Sequence, residues 1–567
     1  MKNKTNAVFT IMLSLFLIAN LSGCRKNNEK SVMAQYDTGQ YLNISLDNEP
    51  RNLDPSKSGD VYSSQVLAEV NEALTRVETD KDGRDVVKPA GAEKWDISSD
   101  GLKWTFHLRD NNWSDGIKVT AKDYEYGIKR TLDPKVGSQY TFLLYPIKDA
   151  REYSDVEKNR NGKIKLDVVG VKALDDKTLE IILGSPCAYF LNLTSLNIMQ
   201  PQRKDIIDKY GDKYGFEADT MVFCGPFKIK QWIHNDKIEL TKNESYWDSK
   251  LVKLQKVTMK IIKSDIEISS ELQGGSLDAG KIIKPELKDK LDKTTKFDSI
   301  KVSKASTNYE IYNQKDKLFS NSKIRKAFSV ALDREEISKN LWKSIHTPAY
   351  ALVPPYLQIG TEDFRQKSSF EPIKKLKEDN TNPKTLLIEG LKELGMDQDT
   401  GKITISYLQP NIDTNQKEIA ELLKQMYIKN LGVNIKLEYV DPDQFQKRIA
   451  DGEYQISTMT WSADYNDPMA EFETWRTGAN IIYTGWSNSK YDNLINNACL
   501  LGNDRNEDRF KYFKEAENIL LLEDAVISPT VYRNKQIYKG KYAKELMYPL
   551  FGPEIELKYA YTQGRNQ

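Results

Sequence analysis

Along residues 61–74, Tyr62, Val66, Val70, Ala73 and Leu74 recur at the spacing of one helical face, which predicts an amphipathic helix. The stretch 103–108 alternates instead. Trp104, Phe106 and Leu108 fall on one face and Lys103, Thr105 and His107 on the other, which predicts a half-buried strand with His107 outward. Period-two patterns return at 178–183, 227–231, 238–240 and 257–261, and His234, Asn235 and Asp236 stand between two of them as a hairpin turn. Over 324–342 a helical period is broken and restarted near Asp333, whose carboxylate and Glu336 three residues on have the spacing of a capping box.

The longest run of consistent signals covers 402–461. Ile403, Ile405 and Tyr407 alternate as a strand; Ile419, Leu422, Leu423 and Met426 stripe a helix closed by Gly432; Val433, Ile435, Leu437 and Tyr439 alternate again. A short helix over 443–450 follows Pro442 and ends at Asp451-Gly452, and 454–461 forms the next strand. This βαβαβ order implies parallel strands joined by right-handed crossovers, a fold of the α/β class. Ligands of open α/β sheets bind beyond the carboxyl ends of the strands, and here the strand runs into Trp461-Ser462-Ala463-Asp464-Tyr465-Asn466-Asp467-Pro468. The same residues also make a turn, with Asn466-Asp467-Pro468 suited to it and Asp464 able to cap backbone amides, so spacing leaves both readings open.

Composition narrows the class. The 567 residues are 39% hydrophobic and 29% charged, a globular balance whose length implies about three domains. A formal net charge of +1 gives no basic excess for tracking phosphates, so no nucleic-acid partner is expected. Lys2 and Lys4 precede the apolar run 7–21, which is shorter than a membrane span needs and leads into Leu21-Ser22-Gly23-Cys24. That sequence is similar to the lipobox of bacterial lipoproteins. It predicts a signal peptide over 1–23, lipidation of Cys24 and a polar tether over 24–37; the alternative is plain secretion with an incidental cysteine. Losing the leader takes Lys2 and Lys4 with it and makes the net charge −1, so acyl chains, not basic residues, would hold the mature chain to a membrane.

Chemical motifs are sparse. Cys187, Cys224 and Cys499 are widely spaced and form no CxxC, which points to small buried thiols, though one pair among them stays open. His107, His234 and His346 share no metal-binding spacing, and no GxSxG elbow, phosphate loop or dinucleotide fingerprint occurs. Asp80-Lys81-Asp82-Gly83 has part of a calcium loop, but its glycine comes too early, and it is read as a turn. No metal site, no cofactor and no catalytic residue is expected; the chain is read as a binding protein, not an enzyme.

The loop 461–468 resembles the W-x-A-D-Y-x-[DE]-P stretch of the extracytoplasmic oligopeptide-binding proteins that serve ABC transporters, solute-binding protein family 5. Further matches are Ala92-Glu93-Lys94-Trp95, Trp113-Ser114-Asp115-Gly116, Thr120-Ala121-Lys122-Asp123-Tyr124, Gly225-Pro226-Phe227, Ile324-Arg325-Lys326-Ala327 with Ala331-Leu332-Asp333-Arg334, and Trp486-Ser487-Asn488. They run in family order from about residue 40 to residue 530. The resemblance implies a two-lobed periplasmic-binding-protein-like fold, class II type, with an extra inserted α+β domain. By analogy the first lobe takes 38–60, 190–300 and 533–567, the inserted domain 61–189 and the second lobe 301–532.

The resemblance also implies a function. A lipid-anchored monomer on the outer face of the bacterial cell membrane would capture oligopeptides between its lobes and deliver them to permease subunits. Asp464 would bind the peptide ammonium; Trp461, Ser462, Ala463, Tyr465 and Glu49, with Tyr140 and Tyr145 from the inserted domain, would line the cleft. Relatives carry an arginine shortly before the motif's tryptophan, whereas 454–460 here holds no basic residue and Thr458 stands in that neighbourhood. Other readings are a binder of dipeptides, oligosaccharides or metal complexes, or a surface protein that senses pheromone peptides. A buried Asp464 argues against neutral sugars.

Overall fold

The computed structural model describes residues 36–81, 83–155, 165–411, 414–479 and 482–565; the expected leader, Cys24 and Asp82 lie outside the described residues. Strand β1 (Tyr41–Leu46) opens the main sheet, its Leu42, Ile44 and Leu46 facing the core. The chain then leaves the sheet through a helix, Val61–Val70, whose N-cap Asp60 accepts from the amides of Tyr62 and Ser63. The helix is shorter than its apolar spacing predicts. Ala73 and Leu74 have left it, and their carbonyls accept from the Gly91 and Ala92 amides, so extended pairing takes over after Asn71.

A hairpin of β2 (Thr75–Thr79) and β3 (Asp85–Pro89) follows, then β4 (Ala92–Ile97), β5 (Lys103–Leu108), β6 (Val171–Ala173) and β7 (Thr178–Ile182), which form an antiparallel sheet in the order β4-β5-β7-β6. Trp104, Phe106, Leu179 and Ile181 meet Tyr124 and Ile128 of the helix Ala121–Leu132 in its core. His107 faces outward as its alternation predicts and bonds Asp96 at 2.7 Å. Helix Val61–Val70 belongs elsewhere: Val66, Leu67 and Val70 pack with Leu42, Phe227 and Val257 of the main sheet, so this segment of the expected 61–189 insertion sits in the core of its neighbour.

The chain re-enters the main sheet with β8 (Phe227–Ile233), β9 (Lys237–Lys242), β10 (Lys256–Ile261) and β11 (Ala279–Ile282). The β8–β9 turn is the predicted one at 234–236, with Asn235 at φ +59°. Gly225 lies where a Cβ would come within 2.6 Å of the Val70 carbonyl carbon, and the amides of Cys224 and Gly225 both donate to the Val70 oxygen, so the Gly-Pro-Phe motif is a packing requirement.

A single 16-residue strand, β12 (Phe297–Tyr312), then enters the middle of the sheet. The short β13 (Thr347–Pro348) and the hairpin of β14 (Gln358–Ile359) and β15 (Glu362–Asp363) precede β16 (Thr404–Pro410), β17 (Asn434–Val440) and β18 (Ile456–Ser462), and the 14-residue β19 (Ile527–Gly540) crosses back. Among the described residues the main sheet has 11 strands, in the order β17-β16-β18-β12-β19-β11-β1-β10-β9-β8 with β13 on β19. The predicted βαβαβ unit is present: β16 pairs parallel with both β17 and β18, through the helices Thr414–Leu431 and Pro442–Asp451. It does not continue as a parallel sheet, because β18 meets β12 antiparallel.

The β12–β19 pair joins the two halves. Its register breaks between Ser303 and Thr307, with Ala305 at φ +47°, opposite Arg533. On one side lies the core of Leu42, Phe227 and Met259, on the other that of Tyr312, Ile405, Tyr407 and Ile456. Arg325 and Arg334, from the sequence motifs, fasten the helical layer to the start of β19: Arg325 donates to the carbonyls of Asp524 and Ala525, and Arg334 to that of Pro529. The predicted restart at Asp333 is present, its carboxylate accepting the Glu336 amide at 3.0 Å. Among the described residues no helix is long and apolar enough to cross a membrane.

Candidate functional site

The end of β18 lies on the seam between the halves of the sheet. Ser306 of β12 pairs with Ser462, their hydroxyls 2.9 Å apart, and one residue further the Ala463 amide donates to the Ala305 carbonyl at 2.9 Å. The loop after β18 is held from within, because the Trp461 indole N–H donates to the Ala470 carbonyl at 2.9 Å. These bonds put Asp464 beside the register break, where the two halves meet.

Asp464 itself makes no hydrogen bond or ion pair among the described residues. Burial alone pushes its carboxyl up to about 6. Burial governs the acids packed behind it as well. Glu471 is fully buried, neither of its carboxylate oxygens has a hydrogen-bond partner among the described residues, and burial followed by Asp464 and Glu517 drives it well above the ordinary carboxylate range. Glu473 is likewise raised by burial, against the pull of its bond from the Tyr465 hydroxyl. A carboxylate without a partner among the described residues, with further acids packed behind it, favours a cation in front of it.

The other predicted residues divide. Ser462 is exposed and Trp461 half-buried, both at the seam beside Asp464. Ala463 is 9% exposed and serves through its backbone. Tyr465 is not a lining residue: it is 3% exposed, its ring stacks on Tyr189 at 4.2 Å and its hydroxyl donates to Glu473 at 2.9 Å, because it ties the loop to the segment around Tyr189. Asn192 strengthens that tie, donating to the Asn466 carbonyl at 2.7 Å. Tyr140 does come near, since its phenol is raised by burial and then by Asp464 and Asp60. Tyr145 instead lies under Arg151, 4.9 Å from the guanidinium.

Glu49 is placed apart from this cluster. Its carboxylate accepts from the Trp232 indole, the His234 ring and the Asn235 amide, each at 2.8 Å, and so anchors the β8–β9 turn. With Arg51, Asp60, Tyr62, Trp232 and His234 it lines a cavity of about 430 Å³. A carboxylate with three donors at this distance is engaged, which the sequence pattern before Leu53-Asp54-Pro55 does not reveal. Asp467, a second acid of the motif, does not share a site with Asp464. Arg509 grips it with two bonds of 2.8 and 2.9 Å, and it accepts the Met469 amide.

Sequence reasoning missed Glu471 and Glu473 behind the loop; Glu471 stands four residues after Asp467, a helical spacing that could have suggested it. Thr458, in the stretch 454–460 that holds no basic residue, bonds the buried Glu310 at 2.8 Å. Cys187 and Cys224 are buried free thiols and Cys499 a partly buried one.

Residues 86–482 match the family model described as bacterial extracellular solute-binding proteins, family 5 Middle. The chain is 34% identical over 556 residues to the dipeptide-binding protein DppE of Bacillus subtilis, covering 97% of each. Its fold is similar to the substrate-binding domain of an oligopeptide ABC transporter from Bacillus anthracis, with a TM-score of 0.72 and 30% identity over 93% of this chain and 99% of that one. It is also similar to Listeria monocytogenes OppA bound to peptide, with a TM-score of 0.71 and 29% identity over 93% of this chain and 99% of that one. With most of its length matched by the model and by these relatives, the chain is a member of the bacterial extracellular solute-binding proteins, family 5, with their two-lobed α/β fold and its inserted domain.

Proposed function

We propose that this protein captures peptides in the cleft along the seam and delivers them to the permease of an ABC importer. The observation that carries the reading is Asp464, a partly buried carboxylate without a partner among the described residues, on the seam where the halves of the sheet meet. A peptide α-ammonium supplies the missing charge, and a ligand touching both sides favours closure about β12 and β19. Ser462 and Trp461 lie beside the peptide amino end, with Tyr140 across from them. Because the affinity comes from the terminal charge and the backbone, side chains of different kinds are accepted.

On this reading the lobes are 38–60 with 190–300 and 533–567, and 301–532, with the insertion near 61–189; the register break at 303–307 opposite Arg533 supports the two crossing points. Cys24 carries the lipid that keeps the monomer at the outer face of the cell membrane. Support for peptides, dipeptide or longer, comes from the names of the relatives. The protein binds its ligand unchanged and is not an enzyme. Native mass spectrometry of residues 25–567 as purified from the host tests the proposal: a mixture of added masses that fragment into short peptides is expected. A single non-peptide mass, or an empty protein that binds a sugar or metal complex but no peptide, overturns it.

A further inference from the structure

Behind the loop 461–468 lies a second cavity, of about 550 Å³, which Asn466 and Asp467 line and Asp464 does not. Its walls come from distant parts of the chain: the hairpin β2–β3, the segment 188–192, the turn of the β14–β15 hairpin, and Asn503 ahead of the helix Asn506–Asn518. The Tyr189–Tyr465 stack and the bond from Asn192 to the Asn466 carbonyl join one of those walls to the loop. A ligand in the cavity therefore touches the same loop that carries Asp464, from another side.

The charges on its walls are answered from within the protein. Arg84 pairs with Asp80 at 3.0 Å, and Asp467 is held by both nitrogens of Arg509. Asp85 accepts the amides of Leu550 and Phe551 at 3.0 and 3.1 Å, and burial brings its carboxyl up to about 7 against their pull.

Polar atoms are left over all the same. Asn466 uses both ends of its amide on Gln358, accepting the backbone N–H at 3.0 Å and donating to the side-chain oxygen at 3.2 Å. The Gln358 amide nitrogen then has no partner among the described residues, although the residue is only 8% exposed. Asn192 uses its nitrogen on the Asn466 carbonyl, and its side-chain oxygen has no partner among the described residues either. The same holds for the Thr361 hydroxyl and the Asn503 side chain. Val86, Val87, Ala188 and Leu191 make the rest of the wall apolar, and among the described residues no aromatic ring lines the cavity.

A cavity of this size, with a few donors and acceptors set in an apolar wall, has the make-up of a small-molecule site. Because its charged groups already have partners, an ion desolvated there would meet no counter-charge. With no ring to stack on, recognition falls to hydrogen bonds, and amide and hydroxyl side chains offer both donors and acceptors. We propose that this cavity is a second binding site, separate from the cleft at Asp464, which takes an uncharged ligand rich in amide or hydroxyl groups and braces the loop 461–468 from behind. The inference goes beyond the peptide reading and does not depend on it. Coupling between the two sites follows from the shared loop, and linkage makes it reciprocal.

Calorimetry on the purified protein uses two uncharged probes, acetyl-dialanine amide and trehalose, each with and without saturating trialanine. It is run on the wild type and on the double variant Ala188→Phe, Thr361→Trp, which fills the cavity from two walls. The wild type is expected to bind at least one probe in the presence of trialanine, the amide marking a peptide-like ligand and trehalose a polyol. The bound probe is expected to change trialanine affinity by at least about threefold. The double variant is expected to bind the probe at least about tenfold more weakly and to keep its trialanine affinity, without probe, within about twofold. Failure of both probes on the wild type, displacement of the probe by trialanine, or unchanged probe binding by the double variant overturns the site. Probe binding that leaves trialanine affinity unchanged overturns the bracing of the loop. Should the double variant show no cooperative melting transition, Thr361→Val decides in its place: a fall of at least about threefold in probe affinity is expected, and an unchanged value overturns the site. If trialanine does not bind the wild type, the peptide reading falls alone, because the probes and the variants still decide the cavity.

Discussion

Asp464 and Asp467 stand three residues apart in one loop and are in opposite electrostatic states. Asp467 is 2% exposed, doubly bonded by Arg509, and caps the short helix that follows. Asp464 has nothing. The difference lies in what is packed behind each. Arg509, on a helix more than forty residues downstream, reaches Asp467, while Glu471 and Glu473 stand behind Asp464. A buried acid with its own arginine is part of the fold; a buried acid among other acids waits for a cation from outside.

Removing Arg509 should break the comparison most sharply. Arg509→Met leaves Asp467 buried and uncompensated, and the expected loss is about 3–5 kcal/mol of unfolding free energy, read by urea denaturation. Asp464→Asn should do the reverse. Peptide affinity is expected to fall by about 2–5 kcal/mol, read by calorimetry. Meanwhile the ligand-free protein becomes more stable at pH 7 by on the order of 1–3 kcal/mol, because the variant no longer buries an unpaired charge. A variant that binds as well as wild type would remove Asp464 from the site.

The pH dependence sharpens the contrast at smaller scale. The folded carboxyl of Asp464 titrates near 6, above its unfolded value, so the native state holds the proton more tightly. Ligand-free stability from this group therefore rises as pH falls from about 6 toward 4, and is lost as pH rises. Binding an ammonium requires the ionised form, so affinity should fall below pH 6 at up to about tenfold per unit. Calorimetry and melting at pH 5, 6 and 7 on wild type and Asp464→Asn check both slopes: the variant should lose the Asp464 share, read as the difference between the two proteins, because Asp85 and Glu310, each pushed up to about 7, titrate in both.

Several sequence motifs turn out to have plain structural reasons. Gly225 is needed where the chain passes against Val70, Arg325 and Arg334 hold the carbonyls that lead into β19, and the Trp486 indole donates to Asp524 at 2.8 Å. These residues hold neighbouring segments together within one half of the sheet or the other, so their pattern reports the fold more than the ligand. Tyr465 belongs with them, a residue of the binding motif that works as a clasp on Tyr189.

What the sequence determined by itself is local. The alternation of β5, the βαβ period over 402–461 and the turn at 234–236 follow from which side of a strand or helix each apolar residue occupies, and that depends on near neighbours only. The motif marked the loop that ends at the seam. Only the tertiary structure decided that Arg509 reaches Asp467 and not Asp464, that Glu49 is engaged by the β8–β9 turn, and that Glu471 is packed behind the loop without a hydrogen-bond partner among the described residues. The physical reason is common to all three: whether a charge is satisfied depends on partners brought in by distant segments, and spacing along the chain carries no record of them.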